Sequence, residues 1–353
     1  MFPQIVNPIS YNGWDDILLS TEGSTFFQSS TWAEVLSESY GFTPYYFYII
    51  DKGKFSVLFP LMEVESLFRG RRAISLPFTD YCEPIIDKSD SFFEIFYEII
   101  KFGKRKGWKC IEFRGGQSLF KSLHPIFNPN KNPGSENYII HNINLRLGED
   151  VLFKKLRESN RRNIKKAQEF GVKIEFLNNW ESLENFCYLN SITRKRHGIP
   201  PQPKNFFKIF YEKILQKGNG IIALALYNGK PVSAYIFCLF GKDAIYKYGA
   251  SDLTYQHLRA NNLLMWESIR WLYKMGYERL SLGRTEHDNH GLRQFKNGWG
   301  GEESLISYSF YDLKKEKFIN KNREISRSSK WIFNKLPIPI LNFLGSILYR
   351  HAA

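Results

Sequence analysis

One order of elements occurs twice along this chain. Residues 45–50 and 55–62 read as two strands joined by a tight turn, and 221–226 and 231–240 read the same way. Gly53 and Gly229 supply the positive φ that such a turn needs. A third strand follows each hairpin, at 72–76 and at 244–250, and then a long amphipathic helix, at 91–106 and at 262–275, each closed by a glycine, Gly107 or Gly276. A further strand comes next, 108–114 and then 277–283, and a helix stands in front of each hairpin, 30–40 and 180–196. A repeat of this length implies paired domains and not a solenoid. The order helix, hairpin, strand, helix, strand gives mixed sheets with helices on their faces, an α/β (α+β) fold class. The expected division is 10–145, 150–313 and a tail at 314–353, with the proline- and asparagine-rich stretch 124–137 as a boundary loop.

The length of 353 residues suits two domains, and 43% apolar with 24% charged residues excludes global disorder. Cys82, Cys110, Cys187 and Cys238 form no CxxC pair and no cluster with histidine, so no structural zinc site or disulfide framework is expected, in keeping with a reducing compartment. His287 and His290 read as loop residues, and no metal site is expected. The first ten residues lack the basic and apolar regions of a secretory signal and no apolar run is long enough for a bilayer, so the expected location is cytoplasmic. There is no GxSxG, no Walker loop and no GxGxxG, which removes support for a serine hydrolase, a P-loop NTPase and a dinucleotide enzyme.

Lysine and arginine number 49 against 35 acidic residues, a net charge of +14 that favours phosphate-bearing or membrane-surface partners. Part of it lies in 148–171, which reads as one helix with Phe153, Leu156, Ile164 and Ala167 on an apolar face. Lys154, Arg157, Arg161 and Lys165 recur at spacings of three and four, making a basic stripe suited to an anion or to simple solvation. The tail begins basic, through Lys314, Lys315, Lys317, Lys321, Arg323, Arg327 and Lys330, then turns apolar from Trp331 to Leu348. Such a segment lies on an anionic membrane, packs on its own domain or meets a second subunit, so monomer and homodimer both stay open.

The sharpest segment contains Tyr246, Tyr248 and Gly249 on a strand, then Arg259, Asn261 and Asn262 opening a helix, then Gly276, Gly283-Arg284-Thr285, Gly291 and Phe295-Lys296-Asn297-Gly298-Trp299-Gly300. Upstream stand Arg161-Arg162-Asn163-Ile164-Lys165-Lys166-Ala167, Arg196-His197-Gly198-Ile199-Pro200-Pro201-Gln202-Pro203 and Leu76-Pro77-Phe78-Thr79-Asp80-Tyr81. In this order the motifs resemble the Fem family of aminoacyl transferases within the Gcn5-related acyltransferase (GNAT) superfamily, above all its exopolysaccharide- and exosortase-associated members. The resemblance covers roughly residues 25 to 312, and two tandem Gcn5-like domains match the duplication.

The resemblance implies transfer of an aminoacyl or acyl group to the amine of a cell-envelope, peptidoglycan or exopolysaccharide precursor, without a covalent enzyme intermediate. The donor is aminoacyl-tRNA or acyl-CoA, with no tightly bound cofactor. Lys296 matches the lysine that stabilises the tetrahedral intermediate in the family, where a snorkelling surface lysine is the alternative, and the Phe295 carbonyl would orient the amine. Tyr248 is either a donor to the carbonyl or a sheet aromatic. Asp80 is either an acceptor-side acid or a turn residue. Arg284 either holds a phosphate or carboxylate or pairs with Glu286 or Asp288. Arg196, His197 and Lys204 are expected near the acceptor, and Arg157, Arg161 and Lys165 near an anionic substrate group. Gln256-His257-Leu258-Arg259-Ala260-Asn261 departs from the glycine-rich loop of coenzyme A-dependent relatives, and this favours tRNA. An acyl-CoA enzyme is the rival reading, and a non-catalytic RNA- or membrane-binding protein is the rival of another class.

Overall fold

The computed structural model describes residues 3–67, 69–87, 91–116, 119–120, 135–320, 331 and 333–352. The chain forms two compact units. One comprises Met1–Tyr138, Leu305–Glu324 and Tyr349–Ala353, and the other Ile139–Ser304 with Ile325–Leu348.

In the first unit, strands Thr43–Asp51 and Lys54–Ser66 pair antiparallel. Lys52 and Gly53 both take positive φ at the turn, 49° and 76°, the twist that suits a two-residue hairpin. Gly70–Ile74 adds antiparallel to Lys54–Ser66, helix Ser91–Arg105 crosses the sheet, and Cys110–Arg114 returns parallel to Gly70–Ile74. Aromatic side chains fill the space under that helix: Phe92 and Phe96 pack with Phe59, Phe113, Phe120 and Phe318.

The second unit repeats this order. Gly220–Tyr227 and Lys230–Phe240 form a hairpin turned at Asn228 and Gly229, with φ of 49° and 74°. Asp243–Ser251 adds antiparallel, helix Ala260–Lys274 crosses, and Arg279–Glu286 returns parallel. Lys173–Leu177 closes the other edge. The crossing helix buries Leu263, Leu264, Ile269 and Leu272 against Ala223, Ala225, Phe237 and Leu280 of the sheet. The duplication expected from the sequence is therefore present: each unit holds a mixed sheet flanked by helices.

Three expectations need correction. The units are not two continuous stretches of chain: Leu305–Glu324 belongs to the first unit, where Tyr308–Asp312, within strand Glu302–Asp312, pairs with Arg114–Cys110 and buries Tyr308, Phe310 and Tyr311. Segment 148–171 is two helices, Glu149–Lys155 and Glu158–Glu169. Leu156 and Arg157 between them are extended, with ψ of 140° and 139°, because Leu156 turns into the core and the Arg157 N–H donates to the Gly298 carbonyl. The basic stripe is accordingly split. Finally, 135–137 begin strand Ser135–Asn144 and Lys317–Ile319 is a strand on Glu302–Asp312, so neither is loop or tail. Residues 124–134 of the expected loop, and Lys321, Arg323, Arg327 and Lys330, lie outside the described residues.

Candidate active site

The parallel strands Asp243–Ser251 and Arg279–Glu286 pair at only three positions, Asp243 with Arg279, Ala244 with Leu280 and Ile245 with Ser281. Beyond these they part, while Asp243–Ser251 stays bonded to Lys230–Phe240 as far as Ser251 through a bulge at Ile236 and Phe237. Gly283 lies in the diverging strand at φ 72°, a conformation that glycine takes without the strain of a side chain. The result is a wedge open at the carboxyl ends of two parallel strands, the place where open α/β sheets receive ligands.

Helix His290–Asn297 stands beside this wedge, its first turn capped by the Asn289 side chain, which accepts from the Leu292 N–H at 3.2 Å. Lys296 on its last turn is 3% exposed, so the snorkelling alternative is set aside. Its Nζ donates to the carbonyls of Gly283 and Arg284, both at 2.9 Å. The ammonium is thus pinned to the kink of the diverging strand. Phe295 meets Trp299 edge-on with ring centroids 5.7 Å apart. Thr285 and Trp299 are buried, and among the described residues the Thr285 hydroxyl and the Trp299 indole N–H have no hydrogen-bond partner.

A second group of residues at this helix was not anticipated. Glu303 receives a bidentate pair from Arg293 (Nε at 2.8 Å, Nη2 at 2.7 Å) and a bond from the Asn297 amide at 2.7 Å. These donors, the Arg293 bonds foremost, hold its carboxyl down at about 2. Glu303 Oε1 is also 3.1 Å from Nε2 of His141, a fully buried histidine whose Nδ1 has no partner among the described residues. Burial and the Lys296 charge lower the His141 pKa, and the pull of Glu303 opposes them. A neutral imidazole at neutral pH adds no second charge beside Lys296.

Asn160 fixes three helices at the same place. It donates to the Gly298 carbonyl at 2.8 Å and accepts from the Asn262 amide at 3.1 Å, joining the starts of Glu158–Glu169 and Ala260–Lys274 to the end of the Lys296 helix. Beside this junction lies a cavity of about 590 Å3 lined by Lys155, Arg157, His290, Arg293 and Asn297. Arg161 and Lys165 line a separate cavity of about 380 Å3 with Glu149, Phe153 and Trp266, and Lys165 also pairs with Glu169 at 3.9 Å. A third cavity, about 160 Å3, is lined by Ser233, Gln256, Arg259, Asn261 and Phe295 at the start of helix Ala260–Lys274.

The other anticipated residues are spread more widely. Arg284 lies 4.0 Å from Glu286, the ion pair weighed against anion binding. Tyr248 packs among Phe186, Phe206, Phe207 and Phe210 at 5.9–6.3 Å, as a sheet aromatic does. Arg196 Nη1 donates to the Ser251 carbonyl at 3.4 Å, His197 is an exposed helix end, and Lys204 is exposed at the start of helix Lys204–Phe210. Asp80 belongs to the first unit, where it follows Leu76 and Phe78, both at positive φ, and its carbonyl accepts from the Tyr308 hydroxyl at 2.6 Å. Lys296, Phe295 and Arg284 therefore gather at the wedge, and Arg157 joins Arg293 at the large cavity.

Residues 154–297 match the family model of the acetyltransferase (GNAT) domain. This part of the chain is similar to a GNAT domain. The match runs from the first basic helix through the Lys296 helix, and it supports an acyltransferase. Among solved structures, FemX is similar over 83% of this chain and 94% of its own, with a TM-score of 0.67 and 14% identity. The C-terminal domain of a protein assigned as a lysylphosphatidylglycerol synthetase from Agrobacterium fabrum is similar over 90% of this chain and 92% of its own, with a TM-score of 0.55 and 11% identity. A tandem GNAT protein from the clavulanic acid biosynthesis pathway covers 88% of this chain and 98% of its own, with a TM-score of 0.53 and 8% identity. What is shared at these identities is the fold. No curated protein sequence matches the chain.

Proposed function

We propose that the protein moves an aminoacyl group from aminoacyl-tRNA to an amino group of a cell-envelope, peptidoglycan or exopolysaccharide precursor, working on the cytoplasmic side of the membrane. The observation that carries the reading is the buried Lys296 ammonium held at the mouth of the strand wedge. In the reaction the acceptor nitrogen attacks the ester carbonyl of the donor, a carbon–nitrogen bond forms, the negative charge gathers on the carbonyl oxygen, and the ribose oxygen leaves with the proton the amine gives up. A cation fixed beside the wedge before the reaction begins stabilises that oxygen without reorganising. Phe295, adjacent to Lys296 on the same helix, is the partner proposed to orient the amine, and the cavity at Arg157 and Arg293 is proposed to take an anionic part of the substrate.

The donor preference rests on Arg259. Its backbone is left-handed at φ 57° where the helix starts, and its side chain lines the small cavity that a pyrophosphate would need to enter. The match to an acetyltransferase model supports the second reading, an acyl-CoA donor with the same acceptor chemistry. The test incubates the protein with labelled aminoacyl-tRNA or labelled acyl-CoA and an aminosugar-containing envelope extract. Transfer from tRNA, reduced about 100-fold or more in Lys296→Met, is expected. Transfer from acyl-CoA alone overturns the donor assignment, and equal rates for wild type and Lys296→Met overturn the role of Lys296.

A further inference from the structure

The carboxyl-terminal helix Ile338–Ala352 has one face built in and one left out. Leu341 is fully buried, Asn342 Oδ1 accepts from the Ser191 hydroxyl at 3.4 Å, and Gly345 lies so close to Pro201 that a Cβ there would run into the Pro201 carbonyl. The helix is therefore seated through small and apolar residues on one side. On the other side Ile340, Phe343 and Ile347, spaced by three and four, are exposed, Phe343 to 65%. Trp331, 61% exposed just before the helix, has the Lys335 ammonium 3.8 Å from its ring centroid. Residues 331–353 contain Lys335, Arg350 and His351 and no aspartate or glutamate.

We propose that this face docks on the surface of an anionic lipid bilayer, with the helix lying in the plane of the interface. No helix among the described residues is long and apolar enough to cross a membrane, so contact from this helix is at the surface. An aromatic and aliphatic stripe with cations at its two ends, Lys335 and Arg350, matches the boundary between acyl chains and negative headgroups. A second copy of the chain matches it less well. Face-to-face packing would bring Lys335 and Arg350 of two copies together without an aspartate or glutamate in the segment to offset them, and one exposed helix face is small against the roughly 1,200 Å2 that stable dimers bury. The inference stands apart from the choice of acyl donor, since none of these residues touches the wedge cavities.

The experiment is co-sedimentation of the full chain with phosphatidylcholine vesicles, with and without phosphatidylglycerol. Binding to the phosphatidylglycerol-containing vesicles alone is expected. Phe343→Ser with Ile347→Ser should weaken it at least about tenfold, and Lys335→Glu several-fold. Circular dichroism melts matching the wild type will show that the variants fold, as expected for exposed positions. Three outcomes overturn the proposal: no binding to either vesicle, equal binding by the Phe343→Ser, Ile347→Ser double variant, or a dimer in sedimentation equilibrium that the same double variant abolishes.

Discussion

The junction at Asn160 makes a quantitative claim about how the Lys296 helix is held. Gly298 has a φ of −63°, which alanine adopts without strain, but a Cβ there would lie 2.7 Å from the Asn160 amide nitrogen. Gly298→Ala must therefore push Asn160 aside and break its bonds to the Gly298 carbonyl and to Asn262. Two neutral hydrogen bonds are worth about 1–3 kcal/mol together. The Gly298 carbonyl keeps its bond from the Arg157 N–H at 3.0 Å, so that carbonyl is not orphaned. Asn160→Ala should cost about the same amount, which for a unit of this size lowers Tm by roughly 2–12 °C.

The double variant separates this from generic damage. With Asn160 already alanine, the new methyl at 298 meets no amide, and replacing glycine restricts the unfolded chain, worth about 0.4–1 kcal/mol in favour of folding. Gly298→Ala is then expected to be neutral or stabilising in the Asn160→Ala background and destabilising in the wild type, a coupling of about 1–3 kcal/mol. Urea unfolding of the four proteins reads it directly. Additivity within about 0.5 kcal/mol, the behaviour of independent sites, would refute the proposed clamp.

Other outcomes follow from buried charge and proton linkage. Glu303, held as a carboxylate down to about 2, stabilises the fold above the ordinary carboxylate range and loses that contribution as pH falls toward 2. His141, whose pKa is lowered chiefly by burial, takes up its proton in the unfolded chain first, so stability also drops as pH falls below about 6.5. Thermal melts should decline below neutrality in two stages, and Glu303→Gln should flatten the acid stage; an unchanged acid limb would count against this assignment. In the first unit Arg114 bonds Glu112, which is almost fully buried, and the carbonyls of Leu76 and Thr79. Arg114→Met removes that guanidinium from the buried carboxylate and is expected to destabilise the fold in denaturant titration, whereas a loss under about 1 kcal/mol would contradict the pairing. Burial pushes the Cys187 thiol up to about 12, so native protein at pH 8 should resist iodoacetamide at Cys187 and react once unfolded, as peptide mass mapping will show.

What the sequence disclosed was whatever local physics decides. Helices Ser30–Tyr40 and Trp180–Arg196 fall on their expected bounds because Ser29 and Asn179 cap their first turns through side-chain oxygens. Both hairpins were legible from the glycines at their turns. The break at Leu156 and Arg157 was not, since its cause is the Gly298 carbonyl far downstream and the helical spacing of the basic residues runs straight through it. Strand exchange was hidden for the same reason: nothing local tells Glu302–Asp312 which sheet edge it will join. At the site, the Phe295-Lys296 motif falls on helix His290–Asn297 beside the wedge, while His141 and Glu303 lie 162 positions apart and carry no shared motif. A pair assembled by the fold leaves no signature in spacing.

The donor question turns on one residue whose conformation and side chain point different ways. Arg259 takes the left-handed backbone, φ 57°, that a glycine adopts without strain at a helix start. Its side chain, however, lines the cavity at that turn, and among the described residues its Nε is buried without a hydrogen-bond partner. Arg259→Gly removes the guanidinium while relieving a backbone strain of roughly 1–2 kcal/mol, so the fold should survive it. If the arginine blocks that cavity, the wild type binds coenzyme A weakly and the variant binds it at least several-fold tighter by isothermal titration. Should the wild type bind coenzyme A well and the variant lose it, the arginine is a phosphate ligand, and the preference for a tRNA donor fails with the argument that produced it.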